Sequence, residues 1–127
     1  MIMKKRVLLS IHPEFANAIM AGEKKFEFRR VAFKRTDITE VVVYATSPVQ
    51  RVIGSFQIDE IYEGTPSSLW KKTKALGGVT KERFDAYFGD RSIAFAIKVS
   101  NPVRFSNSQP LSKYIASNTP PQSFCYI

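Results

Sequence analysis

The apolar run Val7-Leu8-Leu9-Ser10-Ile11 reads as a buried first strand. Pro13 and Glu14 follow, where a helix favours proline at its first position and an acid in its first turn. Phe15, Ala18 and Ile19 then recur at helical spacing and Gly22 stops the pattern, which predicts a helix over 13–21. From Lys24 to Val31 the period falls to two. Phe26, Phe28 and Arg30 share one face of that strand, and Lys25, Glu27 and Arg29 share the other. Val41–Ala45 is a β-branched strand ended by Ser47-Pro48. Arg51–Tyr62 is a longer strand, in which Gly54 marks a bulge or a close backbone approach.

Thr65-Pro66 opens a helix with a cap residue and proline at its first position. Leu69, Thr73 and Leu76 line one side before Gly77-Gly78 end it. Thr80 caps a second short helix holding Phe84, Tyr87 and Phe88, and Gly89 closes it. Ser92–Val99 alternates as a strand. Asn101–Pro121 is turn-rich with little periodicity, and Ser123–Ile127 reads as a closing strand. No repeat, linker or low-complexity segment divides the chain, so residues 1–127 form a single domain of the α+β class. Five to six strands with two to three packed helices most simply close into a small β-barrel, which removes exposed edges.

Composition narrows the class further. The 10 Phe, 5 Tyr and 1 Trp exclude a disordered chain, and 6 Gly with 7 Pro exclude a collagen-like or linker composition. A lone Cys125 makes no internal disulfide, and no Cys/His cluster has ligand spacing, so neither a metal nor another cofactor is expected. The N-terminal apolar stretch is too short for a signal-peptide core. No run approaches the ~18 apolar residues of a membrane span, so a cytoplasmic compartment is expected.

The net charge of +8 is unevenly placed. Residues 1–35 carry +6, residues 36–63 carry −4 and residues 64–127 carry +6. Basic groups gathered in this way favour a polyanionic partner through Coulomb attraction and counterion release.

The densest chemistry lies in Gly22-Glu23-Lys24-Lys25-Phe26-Glu27-Phe28-Arg29. Arg29 offers a planar fork, Lys24 a point charge on a flexible stem, and Glu27 an acceptor. Together they could orient a base edge or a phosphate, whereas the ordinary use of such alternation is a salt-bridged strand face. Gly22-x-Lys24-x-x-Glu27-x-Arg29 resembles the G-x-K-x-x-E-x-R signature of the ASCH domain, a relative of PUA-like RNA-binding barrels. The resemblance extends over nearly the whole chain, through Ser10–Glu14, Tyr44–Pro48, Gly54-x-Phe56, Leu69-Trp70, Phe84-Asp85-x-Tyr87-Phe88 and Pro120–Phe124. It is closest to a short, single-domain branch.

The resemblance implies a PUA-like barrel with a cleft beside the motif strand. It implies binding of RNA, single strands preferred, or of a nucleotide, and in some members a ribonuclease acting on single-stranded RNA. A shorter branch hydrolyses the acetyl-amide of N4-acetylcytidine with the motif Lys, a Thr at position 27 and an acid after the helix in the 66–76 region. This chain keeps Lys24, but has Glu27 in place of the Thr and glycine near position 77.

Lys24, Glu27 and Arg29 are thus the candidate catalytic residues if the protein is an enzyme, with Glu27 as general base and Lys24 or Arg29 stabilising developing charge. The same three, with Arg30, Tyr44, Ser47, Arg51, Gln122 and Ser123, are the candidate ligand-binding residues. Trp70 could stack a base but more ordinarily packs in a core. His12 has no second His or Cys to join it as a ligand.

Overall fold

The structure, a computed structural model, describes residues 5–127, so Lys4 of the basic N-terminal group lies outside the described residues. The elements are β1 (Arg6–Ile11), α1 (Pro13–Met20), β2 (Phe26–Arg29), β3 (Glu40–Ala45), β4 (Arg51–Gly64), α2 (Pro66–Thr73), α3 (Lys81–Phe88), β5 (Ala94–Gln109), a 3-10 turn at Leu111–Lys113 and β6 (Phe124–Tyr126). The strands make one sheet in the order β2-β5-β4-β3-β1-β6, curled into a half-barrel with β2 and β6 at its ends. This is the expected small α+β, PUA-like fold.

Among the described residues β1 and β3 alone pair in parallel, with α1 and β2 in the crossover between them, and the other pairs are antiparallel. The β4–β5 ladder shifts register between Val52 and Gly54, between Ser55 and Gln57, and between Ile58 and Glu60. Each irregularity adds local twist, which is how a long two-stranded ribbon curls. Gly54 sits at the tightest point. A Cβ there would lie 2.4 Å from the Val103 carbonyl oxygen and 2.5 Å from Met20 Sδ. Its place in the sequence therefore does report a close backbone approach.

Capping follows the sequence signals. The Thr65 and Thr80 hydroxyls accept hydrogen bonds from the Ser68 and Arg83 backbone N–H groups, and His12 Nδ1 accepts from that of Glu14. Two elements depart most from expectation. The helix begun at Pro66 ends at Thr73, leaving Leu76 exposed. β5 begins at Ala94 and does not stop near Val99 but runs to Gln109, passing Asn101 at φ +47°. Its second half is held by the ladder to β4 while Asn101, Arg104, Ser106, Asn107 and Ser108 are exposed. No buried face is repeated there, so no hydrophobic period betrays the strand.

Among the described residues, three apolar clusters fill the fold. One packs Ala16 and Ile19 of α1 onto Val7, Leu9, Val41, Val43 and Phe56. A second joins Phe26 and Phe28 of β2 to Leu69, Phe84 and Phe88 of α2 and α3. The third, on the other side of the sheet, gathers Leu8, Val42, Tyr44, Val52 and Leu111, with Cys125 packed beside them. Each large side chain buried in this way contributes roughly 1.5–3 kcal/mol. Among the described residues no helix is long and apolar enough to cross a membrane.

Candidate functional site

Gly22, at φ +79°, ends α1 in the left-handed region, with its N–H donating to Ile19 O and that of Glu23 to Ala18 O. The turn sends Lys24 inward rather than to solvent. Lys24 is only 2% exposed, and its Nζ donates to the Gly77 carbonyl oxygen at 2.6 Å. The ammonium also lies 4.7 Å from the Phe28 ring centre and 5.0 Å from that of Phe15. Gly78, at φ +64°, leaves room for the lysine stem: a Cβ there would be 2.7 Å from Lys24 Cβ. Burial pushes the Lys24 pKa down to about 8; the nearby Glu27 carboxylate opposes the shift and the Arg83 charge adds to it.

Three and five residues on, strand alternation turns Glu27 and Arg29 to the face opposite Phe26 and Phe28, and both are nevertheless buried. Arg29 Nη1 donates to Glu27 Oε2 at 3.2 Å and to the Ser10 carbonyl at 3.4 Å, while Nη2 donates to Ser123 Oγ at 2.7 Å. The guanidinium therefore spans the gap between the two ends of the curled sheet, from β2 to β1 and the segment entering β6. That segment is itself docked by the Ser10 hydroxyl, which donates to the Pro121 carbonyl at 2.6 Å.

Above these groups opens a cleft of about 740 Å³. Lys24, Glu27 and Arg29 form its buried floor. The exposed Arg30, Arg83 and Arg91 stand at its rim, and Phe15, Phe28, Phe84 and Tyr87 line its walls. Arg30 lies 4.3 Å from the Tyr87 ring centre, with its Nε donating to the Tyr87 carbonyl at 2.8 Å. Arg83 lies 4.4 Å from the Phe15 ring centre and pairs with the Glu14 carboxylate. Cations over aromatic walls suit a ligand with both negative charge and planar rings.

Residues 9–103 match the ASCH domain. The chain belongs to the ASCH domain family. It is 31% identical over 126 residues to the ASCH domain-containing ribonuclease of Zymomonas mobilis, covering 98% of this chain and 85% of that protein. The crystal structure of ASCH from Zymomonas mobilis matches this ASCH domain with a TM-score of 0.87 at 28% identity, covering 97% of this chain and 87% of that one. The N-terminal domain of Staphylothermus marinus McrB shares the fold alone, with a TM-score of 0.59 and 11% identity over 98% of this chain and 89% of that one.

The ASCH cleft gathers six of the residues singled out from sequence: Lys24, Glu27, Arg29, Arg30, Gln122 and Ser123. It leaves three outside, a correction to the expected lining. Tyr44 has the strand parity of Val42 and is 4% exposed in the cluster on the other side of the sheet. Ser47 lies in the exposed turn after β3, where its bond to Pro48 is cis. Arg51 donates to the Ser108 hydroxyl and carbonyl at 3.1 and 2.8 Å, across the β4–β5 ladder. Trp70 is half-buried against Phe84, 5.1 Å between ring centres, and is not part of the cleft.

Sequence reasoning missed the cleft wall made by Arg83 and Tyr87 of α3 and by Arg91 just beyond it, and gave His12 and Phe15 no part in it. The one available signal was spacing: Arg83 and Tyr87 are four apart and so share a helix face. Among the described residues no group of three or more His, Cys, Asp or Glu lies where it could hold a metal ion.

Proposed function

We propose that this ASCH domain binds single-stranded RNA, with one nucleotide entering the cleft over Lys24, Glu27 and Arg29. The observation that supports this most is the division of the cleft into exposed arginines on aromatic walls and a buried, polar floor. An extended polyanion can meet the rim, while a single base or ribose reaches donors and an acceptor below.

A second reading, cleavage of the bound strand, is favoured by the likeness to the Zymomonas ribonuclease. In that reading the Glu27 carboxylate takes the proton of a ribose 2′-hydroxyl. The 2′-oxygen bonds to the adjacent phosphorus as the bond from phosphorus to the 5′-oxygen breaks. Lys24 supplies the proton to that leaving oxygen, and Arg29 faces the charge that develops on the phosphate. The products are a 2′,3′-cyclic phosphate and a 5′-hydroxyl. N4-acetylcytidine-type amide hydrolysis finds less support: position 27 is Glu, and the group facing Lys24 at position 77 is a backbone carbonyl.

Fluorescence anisotropy with a labelled single-stranded oligoribonucleotide, over a salt series, tests binding. Mass spectrometry of the same RNA after incubation with wild type, Lys24→Ala and Glu27→Gln tests cleavage. Binding is expected to weaken steeply with salt, and Glu27→Gln to retain binding while losing turnover. Binding no better than that of a charge-matched non-nucleic polyanion overturns the first reading, and undiminished cleavage by Glu27→Gln overturns the second.

A further inference from the structure

The cleft rim holds two arginine–aromatic pairs of similar geometry and opposite electrostatics. At one, the Arg30 guanidinium lies 4.3 Å from the Tyr87 ring centre. Its Nε is occupied by the Tyr87 carbonyl, and among the described residues no carboxylate pairs with it. Arg91, also exposed at the rim, likewise has no carboxylate partner among them. At the other, the Arg83 guanidinium lies 4.4 Å from the Phe15 ring centre, and its charge is met by Glu14. That carboxylate is held below the usual range, first by its hydrogen bond from Arg83 and then by the Arg83 charge, with His12 adding a smaller pull. The Arg83 side chain is still 47% exposed, and it lines the cleft.

We infer that the two pairs read different parts of a bound strand: Arg30 and Arg91 take phosphate, whereas Arg83, neutralised by Glu14, is a flat platform on which a base stacks. An unpaired guanidinium gains most from a phosphate, because binding releases counterions and meets an uncompensated charge. A guanidinium already paired with a carboxylate gains little from a second anion, since the first must leave or be repelled. It keeps its planar face, and guanidinium planes stack on bases. The strand thus lies with its backbone along the Arg30–Arg91 side and a base turned toward Phe15 and Arg83. This assignment rests on the RNA-binding reading.

The test is the slope of log affinity against log salt for a single-stranded oligoribonucleotide, with a second RNA carrying one abasic position. Arg30→Met and Arg91→Met each flatten the slope by about 0.7, the change for one phosphate contact on a single strand. The double variant Glu14→Gln/Arg83→Met, which keeps the net charge of the pair, leaves the slope as it is and weakens binding about ten-fold, as loss of one stacked base does. The penalty for the abasic position shrinks in the same variant. Glu14→Gln exposes the Arg83 charge, so it steepens the slope by about 0.7 and tightens binding at low salt.

A flattened slope in the Glu14→Gln/Arg83→Met double variant, or an unchanged slope in Arg30→Met, overturns the assignment while leaving RNA binding intact. Unchanged binding in Glu14→Gln also overturns it. No binding by wild type removes the RNA reading itself, and the assignment with it.

Discussion

The Lys24 ammonium lies 2.6 Å from the Gly77 carbonyl oxygen, in a niche that leaves the residue 2% exposed. Its proton is held only up to about pH 8 in the fold, against 10.5 for an ordinary lysine. Between those values the unfolded chain binds the extra proton and the folded chain does not, so this group makes stability rise with pH across that window. Below the window both states are protonated, and its effect is a constant penalty. Wild type is therefore expected to gain about 3 kcal/mol on Lys24→Met between pH 8 and 10.5, an order-of-magnitude figure from the shift. Urea midpoints of the two proteins across that range check it, and parallel curves would refute the assignment.

Gly78 and Gly22 both have positive φ, but only Gly78 has the lysine stem where a side chain would go. Gly22→Ala is expected to cost about 1 kcal/mol, the backbone term alone. Gly78→Ala adds an overlap with Lys24 Cβ and Cγ, and is expected to cost roughly 1–3 kcal/mol more. Denaturant unfolding of the two variants gives the comparison, and equal losses would show that the stem moves aside freely.

Arg29 and Glu27 form a buried pair, their side chains 10% and 7% exposed. Arg29→Met strands the Glu27 carboxylate and is expected to cost about 3–5 kcal/mol. Adding Glu27→Gln removes the stranded charge and should restore part of that loss, on the order of 1–3 kcal/mol. A double-mutant cycle by urea denaturation reads this directly. Additive losses would mean that each residue acts through other partners, such as Ser123.

How far the molecule could be read from its residues depended on whether a feature was local. Gly22-x-Lys24-x-x-Glu27-x-Arg29 was legible because turn, parity and charge all lie within eight positions. The caps at Thr65 and Thr80 were legible for the same reason. Tyr44 was misplaced because strand parity shows that Val42 and Tyr44 share a face, but not which face becomes the cleft. Arg83 and Tyr87 were missed because their helix reads as packing against Phe84 and Phe88. Nothing in their spacing ties them to a strand more than fifty positions earlier; only the tertiary contact of α3 with α1, through Arg83 and Glu14, and with β2, through Phe84 and Phe28, does. The far half of β5 was missed because its stability comes from the ladder to β4 rather than from a buried stripe.

The clasp made by Arg29 has an evolutionary consequence. One guanidinium ties β2 to β1 and to the segment entering β6, and it also forms part of the cleft floor. A lineage that altered this residue to admit a different ligand would unfasten the two ends of the sheet in the same step. Change in what the cleft accepts is thereby channelled to residues such as Arg30, Arg83 and Arg91, which the fold can exchange one at a time. The floor is left to drift slowly, and the rim becomes the place where descendants diverge.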